Sequence, residues 1–136
     1  MPMLRKLVEK IPSIFHRIRN RHFPGPLTLL FLPAPGIDPA LLHNSSRIGI
    51  RMPDCPWLLA LIEDTGLPLI STSLNISGQP ALMSGQEIIR RFPRLNAVID
   101  GGTLSPSRGS TVVDIATGEL KILREGDLPA SEILQL

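Results

Sequence analysis

Apolar residues recur at three- and four-residue intervals from the start of the chain: Leu4, Leu7, Val8, Ile11, Ile14, Phe15 and Ile18. That spacing predicts an amphipathic helix, with Arg5, Lys6, Lys10, Arg17, Arg19 and Arg21 on its outer face. Pro12 interrupts the pattern and, having no N–H to donate, should kink or split the helix. Phe23-Pro24-Gly25-Pro26 stops it, and residues 27–32 have the length of a buried strand ended by Pro33-Ala34-Pro35-Gly36. Asp38-Pro39 reads as the start of a short helix, residues 47–51 as a strand alternating at Ile48 and Ile50, and Asp54 as the cap of a helix running to Gly66. Residues 68–71 and 97–99 read as further short strands. Ser84 and Glu87 have capping-box spacing for a helix over 85–92. Two more strands, 111–115 and 120–123, meet at Thr117-Gly118, and a short helix follows Pro129. Strands alternating with helices, then a β-rich end, predict an α/β fold with a twisted mixed sheet flanked by helices.

Charge divides this pattern. Residues 1–22 hold six basic groups against Glu9, a net +5, whereas the remainder holds 8 basic and 11 acidic groups, a net −3. The expected organisation is therefore a basic helical segment, 1–22, leading into an α/β domain, 23–136, within one domain overall. At 136 residues, 43% apolar and 19% charged, the chain can bury a core without staples. With Cys55 alone, an internal disulfide is ruled out and a thiolate zinc site lacks partners. No apolar run reaches the length of a membrane span, and the basic start lacks a secretory core and cleavage site, so a cytoplasmic protein is expected.

Three loops follow short strands, where α/β sheets build ligand sites. The first, Ser71-Thr72-Ser73-Leu74-Asn75-Ile76-Ser77-Gly78, is rich in small hydroxyl and amide groups that can hold phosphate or carboxylate without fixed charge. The same composition also fits an ordinary Ser/Asn turn. The second is Arg51, whose planar fork at a strand end suits a carboxylate, or equally a surface pair with Asp54. The third joins Gly109-Ser110-Thr111 to Arg124-Glu125-Gly126. If their strands pair, Ser110 and Arg124 face one ligand; otherwise the segment is a plain hairpin with an exposed Arg. His16, His22 and His43 stand apart, without metal-ligand spacing. Walker A, dinucleotide-binding glycine and Gly-x-Ser-x-Gly motifs are absent, and no base is close to Cys55 in sequence, which reads as structural.

Six segments taken in order resemble the YrdC-like family of threonylcarbamoyl-AMP synthases. They are Pro24-Gly25-Pro26-Leu27-Thr28, Ile48-Gly49-Ile50-Arg51-Met52-Pro53, residues 71–78, Ile99-Asp100-Gly101-Gly102, Ser110-Thr111-Val112-Val113-Asp114 and Ile122-Leu123-Arg124-Glu125-Gly126. The resemblance implies a concave, positively lined cavity. In it Arg51 meets the threonine carboxylate, with Ser71 and Ser110 near the amino acid. Ser73, Asn75 and Arg124 meet ATP, with the backbone near Arg47 contributing. It implies ATP, L-threonine and bicarbonate as substrates and a threonylcarbamoyl-adenylate for tRNA modification as product. Magnesium is expected to travel with ATP, with no metal held by the protein.

The resemblance also implies a stretch ahead of Pro24 carrying a threonine-binding strand and a Lys/Arg segment; the residues before Pro24 contain neither. Little synthesis and a bare sheet edge are therefore expected, the edge covered by a second copy in a homodimer. The alternative is a module of the same fold that binds nucleotide, tRNA or double-stranded RNA without synthesis, using the basic helix.

Overall fold

The computed structural model describes residues 2–42, 45–75 and 79–135. Contacts group the chain into two units: residues 1–69 with 108–136, and residues 70–107. The charge-based boundary at residue 22 does not coincide with this division.

The first unit contains helices α1 (Pro2–Leu7), α2 (Ile14–His22), α3 (Pro56–Thr65) and α5 (Ala130–Leu134), a 3₁₀ turn at Pro39–Leu42, and strands β1 (Leu27–Phe31), β2 (Ile48–Arg51), β3 (Thr111–Asp114) and β4 (Lys121–Arg124). The strands form one mixed sheet in the order β2-β1-β3-β4. Central β1 pairs antiparallel with β2 and parallel with β3, and β3 pairs antiparallel with β4. This is the mixed, helix-flanked sheet that the sequence pattern predicts.

Strand alternation explains which face is covered. Leu27, Leu29 and Phe31 are fully buried, as are Thr111 and Val113 on β3 and Ile115 beyond it. They join Leu4, Val8, Phe15, Ile18, Leu128 and Ile133 in one apolar cluster. Phe15 meets Phe31 edge-on with ring centroids 5.8 Å apart, and Phe23 likewise at 6.3 Å. The basic segment is thus part of the core on its apolar side.

The first helix splits earlier than Pro12. Val8 leaves the helix to bridge Pro33, the Glu9 amide donates to Leu32 O at 2.9 Å, and the Ala34 amide donates to Leu7 O at 2.9 Å. Pairing with the chain beyond β1 competes with the helix and wins, and Pro12 then precedes α2. Elsewhere the N-cap of α3 is Cys55 rather than Asp54, with Pro56 entering the first turn; Gly66 ends the helix at φ 65°, as expected for a left-handed cap.

The second unit holds α4 (Gly85–Arg91), capped by Ser84, whose Oγ accepts from the Glu87 amide at 3.3 Å. Gly85 is buried against Asp100: a Cβ there would lie 2.5 Å from the Asp100 carboxyl carbon. The strands expected at 68–71 and 97–99 are not formed. Neither segment has a ladder partner among the described residues, and Ile70 and Ile99 are 75% and 66% exposed. An apolar run becomes a strand only when another backbone pairs with it. Among the described residues no helix is long and apolar enough to cross a membrane.

Candidate functional site

The face of the sheet opposite the apolar cluster carries the polar side chains. Register places Arg51 of β2 opposite Thr28 of β1, Thr28 beside Val112 of β3, and Val112 opposite Arg124 of β4. Directly opposed residues share a face, so one row crosses all four strands with a guanidinium-bearing residue at each end. Three strand spacings put the two ends about 14 Å apart at the backbone.

Between the arginines lies a hydroxyl pair: Thr28 Oγ1 and Ser110 Oγ are 2.7 Å apart, and Ser110 is 8% exposed. Arg124 donates from Nη2 to Ser110 O at 2.7 Å, and Arg51 donates from Nε to Gly25 O at 3.3 Å. Each guanidinium is therefore anchored to backbone on one side and keeps further N–H donors. Among the described residues neither is in an ion pair. The pairing of Arg51 with Asp54 left open by the sequence is not formed.

Glycine makes this packing possible. A Cβ on Gly126 would sit 2.2 Å from Gly109 O and 2.6 Å from the Ser110 carbonyl carbon. The Gly126 amide instead donates to Thr111 Oγ1 at 2.8 Å, while Thr111 donates to Leu128 O. These bonds hold the 109–111 and 124–128 segments together, so the hairpin brings Ser110 and Arg124 to one place.

The neighbouring row on the same face runs Gly49, Leu30, Asp114, Lys121. Asp114 Oδ2 accepts from Arg47 Nε at 3.0 Å, its Oδ1 accepts from the Ala116 amide at 2.8 Å, and both side chains of the ion pair are about a fifth exposed, at 24% and 19%. Arg47 Nη1 also reaches Ser46 O and Oγ. The one carboxylate in these rows is thus neutralised, leaving the face cationic and suited to carboxylate or phosphate.

The other expected site residues lie in the 70–107 unit. Ser71 is exposed. Ser73 Oγ donates to Asn75 Oδ1 at 2.6 Å, and Asn75 Nδ2 donates to Gln79 O at 2.9 Å, whose side chain accepts from Arg91 Nη1 at 3.1 Å. The loop's Ile76, Ser77 and Gly78, and His43, lie outside the described residues. Among the described residues no three His, Cys, Asp or Glu side chains group as a metal site. Thr28 and Asp114 were not picked out as site residues. Their signal was the strand alternation, which puts both on the face that Leu27, Leu29 and Val113 leave.

Comparison with known proteins gives a consistent result. The Sua5/YciO/YrdC family model, described as telomere recombination, matches residues 1–126. The threonylcarbamoyl-AMP synthase of Pyrococcus abyssi is 34% identical over 132 residues, and that of Bacillus subtilis 31%; each alignment covers 96% of this chain. The solved structure of P. abyssi Sua5 complexed with L-threonine superposes over 99% of the chain with a TM-score of 0.89 at 30% identity. The crystal structure of Escherichia coli YciO superposes over 97% with a TM-score of 0.82 at 26% identity. The chain spans 38% of the length of the two synthases, 40% of the P. abyssi Sua5 structure and 65% of YciO.

Proposed function

The chain belongs to the Sua5/YciO/YrdC family, and on that premise we propose that its arginine- and hydroxyl-bearing sheet face forms part of a threonylcarbamoyl-AMP synthase site in the cytoplasm. The reaction takes L-threonine, bicarbonate and ATP. The threonine amine attacks the bicarbonate carbon and water leaves, giving a carbamate. A carbamate oxygen then attacks the α-phosphorus of ATP, forming threonylcarbamoyl-AMP as pyrophosphate departs. The product serves tRNA modification.

The observation that carries this reading is the row Arg51–Thr28–Val112–Arg124, with its hydroxyl pair between two cations. Arg51 offers its outward N–H groups to the threonine carboxylate, and Ser110, partnered by Thr28, lies beside it. Arg124, steadied by Ser110 O, offers charge to the phosphates. The nucleotide and amino-acid roles of Ser71, Ser73 and Asn75 in residues 70–107 stay as the resemblance implies them, and Arg47 contributes backbone while its guanidinium stays with Asp114. Asp114 is already engaged on both oxygens, so magnesium would be held by phosphate oxygens and water. Its chemistry there is charge neutralisation on ATP. Rate comes from positioning and from fixed charge, with no covalent link to the protein.

Calorimetric titration tests the assignment. Arg124→Ala should weaken ATP binding roughly tenfold or more, the worth of a lost charge-assisted hydrogen bond. Equal affinity in both proteins would refute it. Any pyrophosphate release must require threonine and bicarbonate together with ATP; release that persists without threonine would sink the synthase reading.

A second reading rests on the exposed Arg5, Lys6, Lys10, Arg17 and Arg21, which give the outer side of α1, α2 and the segment between them a polyanion-binding character toward tRNA or double-stranded RNA. Removing the charges between residues 5 and 21 should then abolish RNA retention in a gel-shift assay at low salt. Unchanged retention rejects it.

A further inference from the structure

Two cavities adjoin on the helix-covered side of the sheet, away from the arginine- and hydroxyl-bearing face. One, of about 320 Å³, is bounded by Arg5, Val8, Glu9, Lys10, Ile11 and His16. The other, of about 540 Å³, shares Lys10, Ile11 and His16 and reaches Pro12, Ser13 and the β3–β4 turn at Thr117 and Gly118. Both are clefts open to solvent on one side, with Arg5, Glu9, Lys10, Ser13 and His16 exposed along their walls. Neither belongs to the proposed reaction.

The cavities exist because α1 and α2 are not one helix. The Val8–Pro33 bridge and the Glu9 amide bond to Leu32 O pull the connecting segment onto the end of β1, opening a gap before α2 begins. The floor is rigid, since Val8 is 4% exposed and belongs to the core cluster. The walls are ionic. Arg5 and Lys10 make no ion pair among the described residues, although Glu9 lies in the same cavity. His16 stands edge-on against Phe15 at 5.6 Å. Ser13 makes no capping bond with its hydroxyl. In the first cavity Arg5, Lys10, Glu9 and His16 surround apolar Val8 and Ile11, and in the second Ser13 joins the shared Lys10, Ile11 and His16.

From this arrangement we infer a second ligand site, for a small phosphorylated molecule with an apolar or planar body. Arg5 and Lys10 hold the phosphate by charge, His16 and Ser13 supply hydrogen bonds, and Ile11 packs against the body. Within this cavity Glu9 offsets one of the two cations, which favours a monophosphate over a polyphosphate.

Phenyl phosphate is a suitable probe, followed by amide NMR on the full chain. Shifts are expected at residues 9–13, 16 and 116–118, with inorganic phosphate binding more weakly at the same amides. The Arg5→Ala/Lys10→Ala double variant should lose at least tenfold in affinity, and Lys10→Glu alone should do the same. Arg124→Ala should leave binding intact, which separates this site from the proposed synthase face. Arg17→Ala/Arg19→Ala/Arg21→Ala, whose residues line neither cavity, should also leave it intact. Unchanged affinity in the Arg5/Lys10 variants, or shifts confined to the residues around Arg51 and Arg124, overturns the inference. Equal weakening by the triple variant also overturns it and identifies a diffuse polyanion patch instead.

Discussion

In the sheet-bearing unit, Thr28 stands on a strand laddered on both sides, Ser110 leads directly into β3, and Arg124 lies on edge strand β4 paired with β3, over a core of fully buried Leu27, Leu29, Phe31 and Val113. In residues 70–107, Ser73 and Asn75 are held by one another and by Gln79, and Gly85 is the one buried position among the described residues. The first arrangement fixes polar groups from beneath, through the fold. The second fixes them sideways, through bonds a few residues long. The comparison teaches that the two halves of the proposed chemistry depend on different physics. Substitutions in the core should reach the arginines, whereas the Ser/Asn loop should respond mainly to changes within its own unit.

The contrast can be broken most directly at Phe31, fully buried in the central strand. Phe31→Ala should cost about 3–5 kcal/mol in urea unfolding, because transfer and cavity terms add. A loss under about 1 kcal/mol would mean the sheet does not carry the fold. Next comes Gly126→Ala, where a methyl would meet Gly109 O and the Ser110 carbonyl. Overpacking there should cost roughly 1–3 kcal/mol and displace the amides of Ser110 and Arg124 in an NMR spectrum. Unperturbed amides would show that the close approach is not what sets those residues.

In the other unit, Ser84→Ala removes the cap of α4 and should cost about 1 kcal/mol, read as lost protection of the Glu87 amide in hydrogen exchange. Faster exchange across β1 and β3 as well would erase the distinction between the units. The smallest effect belongs to Ile99→Ala, at a residue 66% exposed: under about 0.5 kcal/mol by thermal denaturation. A loss of 2 kcal/mol there would show that this apolar segment is buried in solution.

The same contrast marks how far the sequence could be read. Strands β1 to β4 were legible because alternation and turn residues agree at Leu27–Phe31, Ile48–Arg51 and on both sides of Gly118. The approach of Arg124 to Ser110 was legible through the hairpin expected at Thr117-Gly118. Residues 68–71 and 97–99 misled because an apolar run states only that a strand would be favourable, not that a partner backbone is present. The early break at Val8 was hidden for a related reason. Helical spacing continues through it, and only the distant Pro33 shows what competes. Residue type alone does not mark Thr28 within its apolar strand; the register that sets it opposite Arg51 does.

The Thr28–Ser110 pair joins residues 82 positions apart. The parallel β1–β3 ladder beneath it can form only after the chain between has been looped out and closed. Closure entropy grows with the logarithm of loop length, at about 0.6 kcal/mol per doubling. The unit carried within that loop can therefore be lengthened at little equilibrium cost, while the folding rate bears the long-range search. During synthesis β1 must wait for β3 to emerge before the parallel ladder and the hydroxyl pair above it can form.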